Sequence, residues 1–517
     1  MKKVLNGISC VFCLLMFFAF SGCNYASGSS PANPFPVSDP EPIYADGLFV
    51  STRPDKTVKI YWKNPKSTDF AGVKIDINGT VIDIKSTEVP NNEYTVTGLD
   101  YNSECNISIK AYDSKGNEFE SKESSKKTFK PSENYVELEF SEVENYLDSL
   151  SSNTEENPHK IYVKDLKQEN IGDADTEGTF GNLIKKNRGY QNPNPKYFDL
   201  KIDFADDVTN TSCLFVDCGN IVSAEVSDNN TITDASGMFD YCDVMKQVKL
   251  TGFKSVENAS AMFCYCEELT EIDTSPFTNV TNAESMFDSC EKLKSIDTSV
   301  FTKVTNAIFM FSGCNALKEI DTTPLKSVVE AEGIFCGDDS LTYVDTSVFK
   351  NITKGNYMFS ECKSLTEIDT SPFTLITEAD RMFSGCEGLK KIDTSPFVSL
   401  KEAPCMFNNC SNLTEINSAC FKNITNADHL FSGCSSLKQI DTSSFSKVAN
   451  AEYMFCSCKG LTEIDVSFFK SVTDVSTMLS GCSNLQTIYY SSETDPVYLK
   501  KKNTYAPSSA VWTLKSN

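Results

Sequence analysis

Histidine is scarce in this 517-residue sequence, which contains only His159 and His429. A histidine-based metal site or catalytic system is therefore not expected, because imidazole is the commonest metal ligand and general base. The sequence also lacks a phosphate-binding glycine loop, a serine nucleophile elbow and a His-Glu zinc motif. These absences predict a protein that is not an enzyme and that has neither a cofactor nor a bound metal.

Basic residues are outnumbered, since 47 Lys and Arg face 71 Asp and Glu, and the formal net charge is −24. A chain this acidic is repelled by phosphate groups, which excludes nucleic acid and anionic lipid as general partners. Long hydrophobic runs are also missing after the N-terminus, so no later segment is expected to cross a bilayer. Hydrophobic residues make up 40% of the sequence, near the average of globular proteins, and most of the chain is expected to fold.

The first 22 residues have the pattern of a secretory signal peptide. Two lysines precede an apolar run over residues 4–20, and small residues follow before a cysteine. The Phe-Ser-Gly-Cys segment that ends at Cys23 resembles a bacterial lipobox, although Phe20 stands where leucine is usual. This resemblance implies that Cys23 is lipidated and that the protein is an exported bacterial lipoprotein, held at the cell surface or outer membrane by its lipid alone. A single membrane anchor is the alternative, for which the apolar run is at the short limit.

Residues 23–42 contain five prolines among serine, asparagine and glycine. Such a composition is extended and semi-rigid, at about 3.1 Å per residue where it is polyproline-like. We expect a lipid-attached tether.

Residues 43–130 alternate apolar and polar side chains with a period of two, for example over 58–62 and 107–111. Short strands of this kind, with an Asn-Gly hairpin turn at 78–79, predict a small β-sandwich. Trp62 and the later Gly-Leu and Ile-x-Ile-x-Ala segments resemble a fibronectin type III domain, with Cys105 where that family commonly has tyrosine. The resemblance implies a spacer or a binding module.

Residues 131–213 have a weaker pattern. A helix is predicted from Ser141 to Leu150, with Ser141 as its N-cap and Glu144 completing a capping box. Residues 160–163 and 197–202 are predicted strands. We interpret the segment as the N-terminal cap of the array that follows.

Phenylalanine recurs every 24 residues from Phe239 to Phe455, and the register extends to about twelve repeats over residues 214–488. A fixed period of this length is typical of a solenoid, because one coil cannot bury its apolar positions alone. We expect a mostly β fold with short helical turns, in which a Leu-x-x-Ile-Asp segment such as 365–369 is a parallel strand and Ala-x-x-Met-Phe an irregular turn on another wall. Residues 489–517 are predicted to form a C-terminal cap.

The repeat motif Phe-Ser-Gly-Cys-x-x-Leu, as at 383–389, is followed by Ile-Asp-Thr-Ser. This motif resembles the BspA-like leucine-rich repeat surface proteins. The resemblance implies a leucine-rich-repeat-type solenoid that mediates adhesion to host or matrix proteins, or to other cells. The repeat at 334–357 departs from the pattern, with Gly337-Asp338-Asp339 and Gly355 at otherwise regular places.

Most cysteines occupy one repeat position, and only Asp338 interrupts the series. A disulfide framework would not follow a solenoid register, so we interpret these cysteines as small buried apolar groups. Occasional disulfide bonds between coils remain an alternative, because neighbouring coils about 4.8 Å apart are within disulfide reach. Two Cys-x-Cys pairs lie eight repeats apart and cannot share a zinc ion. The ladder comprises Cys242, Cys266, Cys290, Cys314, Cys362, Cys386, Cys410, Cys434, Cys458 and Cys482.

Aspartate also recurs at one repeat position, from Asp273 to Asp465, with Asn417 as the exception. Like charges at this spacing repel, so these carboxylates should be solvated or hydrogen-bonded to the following turn. An Asx-turn fits Asp-Thr-Ser-Pro, and calcium held between coils is the alternative.

We expect the array to present an extended binding face to an extracellular protein or glycan, because repeat solenoids commonly bind through such surfaces. The alternative is a structural spacer or envelope component without a specific ligand. Mixed charge at the variable positions beside the predicted sheet favours a protein or glycan partner. The candidate contact residues are Thr270, Glu271, Lys318, Glu319, Thr342, Tyr343, Lys390 and Lys391.

Overall fold

The computed structural model describes the chain between residues 46 and 515 with several gaps. The chain divides into two compact units, residues 1–42 and 43–517, and every described residue lies in the second. The predicted signal peptide, the lipidation site Cys23 and the predicted tether lie outside the described residues. Where the structure is described, no helix is both long and apolar enough to cross a membrane. The described ranges are 46–52, 57–64, 70–85, 93–99, 105–118, 126–129, 135–172, 179–188, 194–473, 475, 477–494 and 506–515.

Two antiparallel sheets form a β-sandwich over residues 46–129. Its strands are β1 (Asp46–Thr52), β2 (Thr57–Lys63), β3 (Phe70–Ile77), β4 (Thr80–Lys85), β5 (Glu93–Thr97), β6 (Cys105–Asp113) and β7 (Lys126–Phe129). The sheets have the orders β1-β2-β5 and β4-β3-β6-β7, and Trp62 and Ile109 lie in their shared core. Asn78 and Gly79 form the predicted hairpin turn with positive φ angles. The predicted sandwich is present, and its likeness to fibronectin type III stays a prediction.

A parallel sheet follows the sandwich along the chain. Its first strands are β8 (Val136–Leu138), β9 (His159–Leu166), β10 (Phe198–Phe204), β11 (Ile221–Ser227) and β12 (Gln247–Thr251). They pair in chain order, and the register aligns Ile161 with Leu200 and Leu200 with Ala224, all of which are buried. The segment interpreted as an N-terminal cap therefore carries the first rungs of the solenoid's own sheet.

Helices α1 (Phe140–Ser149) and α2 (Phe180–Lys185) lie between these strands. The predicted helix α1 is present, but its predicted cap is wrong. Glu139 is the N-cap, and it exchanges hydrogen bonds with Glu142 in a capping box. Because β8 ends at Leu138, the chain enters the helix two residues before Ser141.

The solenoid has about 15 turns, more than the twelve repeats predicted. The additional rungs include β8, β9 and β10, which pair like the later ones. The connections between these strands differ in length and include helices. The strands therefore pair in parallel like the later rungs, although the sequence between them does not follow the 24-residue period.

Short strands occur at only some of the later rungs. They are β13 (Lys391–Ile392), β14 (Glu415–Ile416), β15 (Glu463–Asp465), β16 (Thr487–Tyr490) and β17 (Val511–Leu514). Residues 365–369, predicted as a strand, are not regular strand. Pairing is loose at intervening rungs, where Lys294 N donates to Thr270 O at 3.5 Å. The turn wall is tighter, since Phe287 N donates to Met310 O at 3.0 Å.

Two columns of phenylalanine fill the interior of the array. Rings 24 residues apart stack almost parallel, as between Phe359 and Phe383 at 5.7 Å and 3°. A second column, which includes Phe397, meets the first edge-on at 6.5 Å. These rings are fully buried, so each coil completes its core with side chains from its neighbours.

Residues 489–517, predicted as the C-terminal cap, add strand β17 in parallel to β16. Trp512 lies against Tyr490 with ring centroids 6.3 Å apart. Val511 and Leu514 at this last rung are exposed.

Candidate binding face and its supporting ladders

The ladder cysteines lie inside the coil, and each links two turns. Cys290 Sγ donates to the Phe263 carbonyl at 3.2 Å, and Cys386 Sγ to the Phe359 carbonyl at 3.0 Å. Burial raises the pKa of the Cys434 and Cys482 thiols to about 12. All cysteines in the described part of the chain are free, and those of the ladder are buried.

Asp338 takes the place of a ladder cysteine and is fully buried. Its Oδ1 accepts a hydrogen bond from the Cys314 backbone N–H at 2.8 Å, whereas Oδ2 has no hydrogen-bond partner. Burial raises the pKa of this carboxyl well above its usual range.

The aspartate ladder lies on the outside of each coil. Asp369 Oδ1 accepts a hydrogen bond from the Ser371 backbone N–H at 2.9 Å, and the same Asx-turn recurs at the other rungs. The predicted Asx-turn is therefore confirmed. Where the structure is described, no group of three or more His, Cys, Asp or Glu side chains could hold a metal ion, so no calcium site is found in that part of the ladder.

A ladder of hydroxyl groups follows the aspartates and was not predicted. Thr298 Oγ1 donates to the Asp321 carbonyl of the next coil at 2.5 Å, and Thr274 Oγ1 to the Asp297 carbonyl at 2.6 Å. These threonines are buried. The sequence held a signal for this ladder, because threonine or serine follows the ladder Asp or Asn in eight successive repeats. The members are Thr274, Thr298, Thr322, Thr346, Thr370, Thr394, Ser418 and Thr442.

Lysines neutralise the aspartate ladder at both ends. Lys249 Nζ lies 3.0 Å from Asp273 Oδ2, and Lys515 Nζ lies 2.5 Å from Asp465 Oδ2. Burial tends to raise the pKa of Asp273, but Lys249 and the turn hydrogen bonds outweigh it and lower that pKa. Between these ends, four aspartates are exposed and two are half-buried: Asp321, Asp369, Asp393 and Asp441 are exposed, and Asp297 and Asp345 are half-buried.

Two family models match the array. A model described as "BspA type Leucine rich repeat region" matches residues 308–413 and 331–451. Residues 308–451 of the array are therefore similar to a BspA-type leucine-rich repeat region. A second model, "Mycoplasma protein of unknown function, DUF285", matches residues 209–324 and 401–505. No curated protein matches the chain.

Solved structures with similar chains include a leucine-rich cell surface protein from Faecalibacterium prausnitzii. It is 19% identical, with 68% of this chain and 88% of that chain covered, and the TM-score is 0.38. The functional domain of InlJ from Listeria monocytogenes, which includes a cysteine ladder, is 16% identical. That match covers 55% of this chain and 67% of the other, with a TM-score of 0.29.

The residues predicted to form the binding face occupy two adjacent positions of the 24-residue coil. Thr270 and Glu271 are half-buried, whereas Tyr343 is exposed to 57%. Lys391 forms an ion pair with Glu415 of the next coil. The other predicted members are exposed and comprise Lys318, Glu319, Thr342 and Lys390. Their role in binding stays a prediction.

Neither histidine occupies these two positions of the coil. His429 is half-buried, its Nδ1 lies 2.7 Å from Asp428 Oδ1, and its ring stacks on Tyr453 at 4.5 Å. The imidazole of His429 is therefore packed against its neighbours and is not a plain surface side chain. His159 Nε2 lies 2.8 Å from the Ser151 carbonyl oxygen at the start of β9.

The structure also reveals a half-buried carboxyl pair on the turn wall. Asp240 and Asp288 occupy one repeat position on either side of Cys264. Burial raises the pKa of Asp240 to about 7 and that of Asp288 to about 6. Tyr241 and Tyr265 stack beside them at 4.4 Å. The sequence pattern gave no sign of this pair, because its position also carries Ser and Cys.

Proposed function

We propose that this protein is a cell-surface binding protein whose BspA-type array holds an extracellular protein or glycan on its exposed sheet face. The expected role is adhesion to host or matrix proteins, or to other cells. In this proposal Cys23 carries the lipid anchor, residues 24–42 are the tether, and the sandwich at 43–130 spaces the array from the membrane. The protein acts by binding and not by catalysis.

The observation that carries the proposal is the contrast between the inside and the outside of each coil. The inside repeats the same phenylalanine, cysteine, leucine and threonine positions, which keeps the coils in register. The outside changes from coil to coil, from Glu319 to Tyr343, Glu367 and Lys391. A regular scaffold with a variable, solvent-exposed surface suits recognition of a large partner.

Tyr343 is the strongest candidate for a central contact. It is 57% exposed, and exposed tyrosine combines a large apolar ring with a hydroxyl group that can hydrogen-bond. Such residues dominate the energetics of many protein interfaces. The surrounding lysines and glutamates would supply polar contacts at the rim.

Binding of the full mature chain to a panel of matrix proteins and glycans tests the proposal. Tyr343→Ser should weaken saturable binding by at least about 1 kcal/mol, or about fivefold in Kd, because it removes an exposed aromatic contact. Val398→Ser is the matched control, because Val398 is 63% exposed but lies at a different position of the coil.

A second variant replaces Lys390 and Lys391 with glutamate and should reduce the dependence of binding on salt if the partner is anionic. Equal losses for Tyr343→Ser and Val398→Ser would show that the predicted face is not the binding surface. No saturable binding to any partner would favour the structural spacer instead.

A further inference from the structure

The ladder of buried thiols is broken at one rung. In the regular coils the thiol donates a hydrogen bond to the carbonyl of a phenylalanine 27 residues earlier, at 3.0–3.4 Å. Asp338 stands at the interrupted rung. Counting back the same 27 residues from Asp338 gives Phe311. The Phe311 carbonyl is therefore the acceptor that the register provides at this rung, and an ionised carboxylate has no hydrogen to donate to it.

The surroundings of Asp338 contain no charge that could balance a carboxylate. The side chain is fully buried, and its Oδ1 already accepts a hydrogen bond from Cys314 N–H. The cysteine thiols around it, at positions 314, 336 and 362, are neutral, and burial raises their pKa values. The charged groups that act on Asp338 are the carboxylates of Asp288 and Asp339. Lys363 is directed to Asp339, with Nζ 3.0 Å from Oδ1.

We propose that Asp338 is protonated in the folded array and that its Oδ2 hydroxyl donates a hydrogen bond to the Phe311 carbonyl in place of the missing thiol. A neutral carboxylic acid has one donor and retains acceptor capacity. Both oxygens are then satisfied, with Oδ1 accepting from Cys314 and Oδ2 donating to Phe311. An ionised carboxylate would leave a buried charge and an unpaired oxygen at the same place.

The coil that carries Asp338 is also less tightly joined to its neighbour on the turn wall. Backbone bridges connect Asn306 to Glu330 and Lys354 to Glu378 along that wall. Within this described stretch, no such bridge joins Glu330 to Lys354. Ionisation of Asp338 should therefore open this coil in particular, and coil 331–354 becomes a pH-sensitive joint in the array.

The direction of the pH effect follows from the two protonation equilibria. In an opened coil Asp338 titrates near its ordinary pKa of about 3.9, whereas burial raises its pKa in the folded coil. Between these two values the folded coil binds more protons than the opened one. The equilibrium constant for opening should therefore increase up to about tenfold per pH unit as the pH rises, and level off above the folded pKa.

Hydrogen exchange of the full chain, followed by mass spectrometry from about pH 5 to about pH 8 and corrected for intrinsic exchange rates, measures this opening. Amides in coil 331–354 should lose protection as the pH rises. Coil 403–426 is the internal control, because no bridge joins Glu402 to Asn426 either, but its ladder thiol Cys410 is in place.

Asp338→Asn retains an acceptor and supplies a donor without a charge, so it should make the opening of coil 331–354 nearly independent of pH. Asp338→Cys restores the regular thiol and should do the same. A pH dependence in coil 331–354 that persists unchanged in Asp338→Asn overturns the proposal and assigns the effect to another titratable group, such as Glu361 of the next coil, whose pKa burial also raises. If Asp338→Asn does not fold, the same comparison with Asp338→Cys decides.

A direct titration gives an independent check. The carbon-13 resonance of the Asp338 carboxyl, assigned by comparison with Asp338→Cys, should show the protonated form in the folded chain at about pH 6, well above an ordinary aspartate pKa. An ionised Asp338 in the folded protein at that pH overturns the proposal.

Discussion

Threonine hydroxyls join neighbouring coils just inside the exposed face. Thr370 is buried, and its Oγ1 donates to the Asp393 carbonyl of the next coil at 2.5 Å. Thr370→Val keeps the branched shape and removes this donor from a partly buried carbonyl. We expect the free energy of unfolding to fall by about 1–3 kcal/mol, as measured by denaturant titration.

Thr370→Ser is the control, because it keeps the hydroxyl and loses only a methyl group. It should be less destabilising than Thr370→Val. The chain itself carries Val466 at the equivalent place, where the backbone N–H of Val466 donates to the Tyr489 carbonyl at 2.7 Å instead. A Thr370→Val protein as stable as Thr370→Ser would show that the hydroxyl contributes nothing.

For single residues, the sequence predicted which side chains are buried or form turns better than it predicted their hydrogen-bond partners. The buried thiols and the Asx-turns followed from residue type and register. The acceptors did not, because they are backbone carbonyls whose position depends on the path of the coil. Cys386 reaches Phe359 across 27 residues, whereas Thr370 reaches forward across 23, and the repeat length of 24 predicts neither offset.

Helix α1 gives a test at the level of one element. The Glu142 carboxylate accepts a hydrogen bond from the Glu139 backbone N–H at 3.0 Å, which satisfies a backbone donor at the start of the helix. Glu142→Ala should reduce hydrogen-exchange protection of residues 140–149 by about 0.5–2 kcal/mol. Ser141→Ala should leave it nearly unchanged, because Ser141 lies inside the helix. A larger loss of protection in Ser141→Ala than in Glu142→Ala would instead support the Ser141 cap predicted from the sequence.

The elements differ in how far the sequence determined them. Strands β3 and β6 show alternating burial, which a period of two reveals directly. The strand predicted at 365–369 is not regular strand, because coil-to-coil backbone hydrogen bonds concentrate on the turn wall. Strands β9 and β10 pair in parallel as neighbouring rungs, but the connection between them does not follow the 24-residue period. The sequence pattern therefore did not reveal that these strands belong to the solenoid.

The whole array behaves physically as a stack in which each coil contacts only its neighbours. Its stability is then approximately a sum of coil terms and interface terms. The continuous phenylalanine column makes the interface terms large, because every ring is shared between two coils. One weakened interface in the middle of the stack should therefore separate the array into two blocks that unfold at different denaturant concentrations.

Phe359→Ala tests this one-dimensional cooperativity. The Phe359 ring is fully buried and stacks on Phe335 at 5.8 Å and on Phe383 at 5.7 Å, so its loss should cost about 3–5 kcal/mol. We expect hydrogen exchange in denaturant to lose protection first near residue 359 and to resolve N-terminal and C-terminal blocks. Leu375→Ala, at a side chain exposed to 47%, should change protection by less than about 0.5 kcal/mol. A uniform loss of protection along the array in Phe359→Ala would mean that the coils unfold as one unit and that nearest-neighbour stacking does not govern its stability.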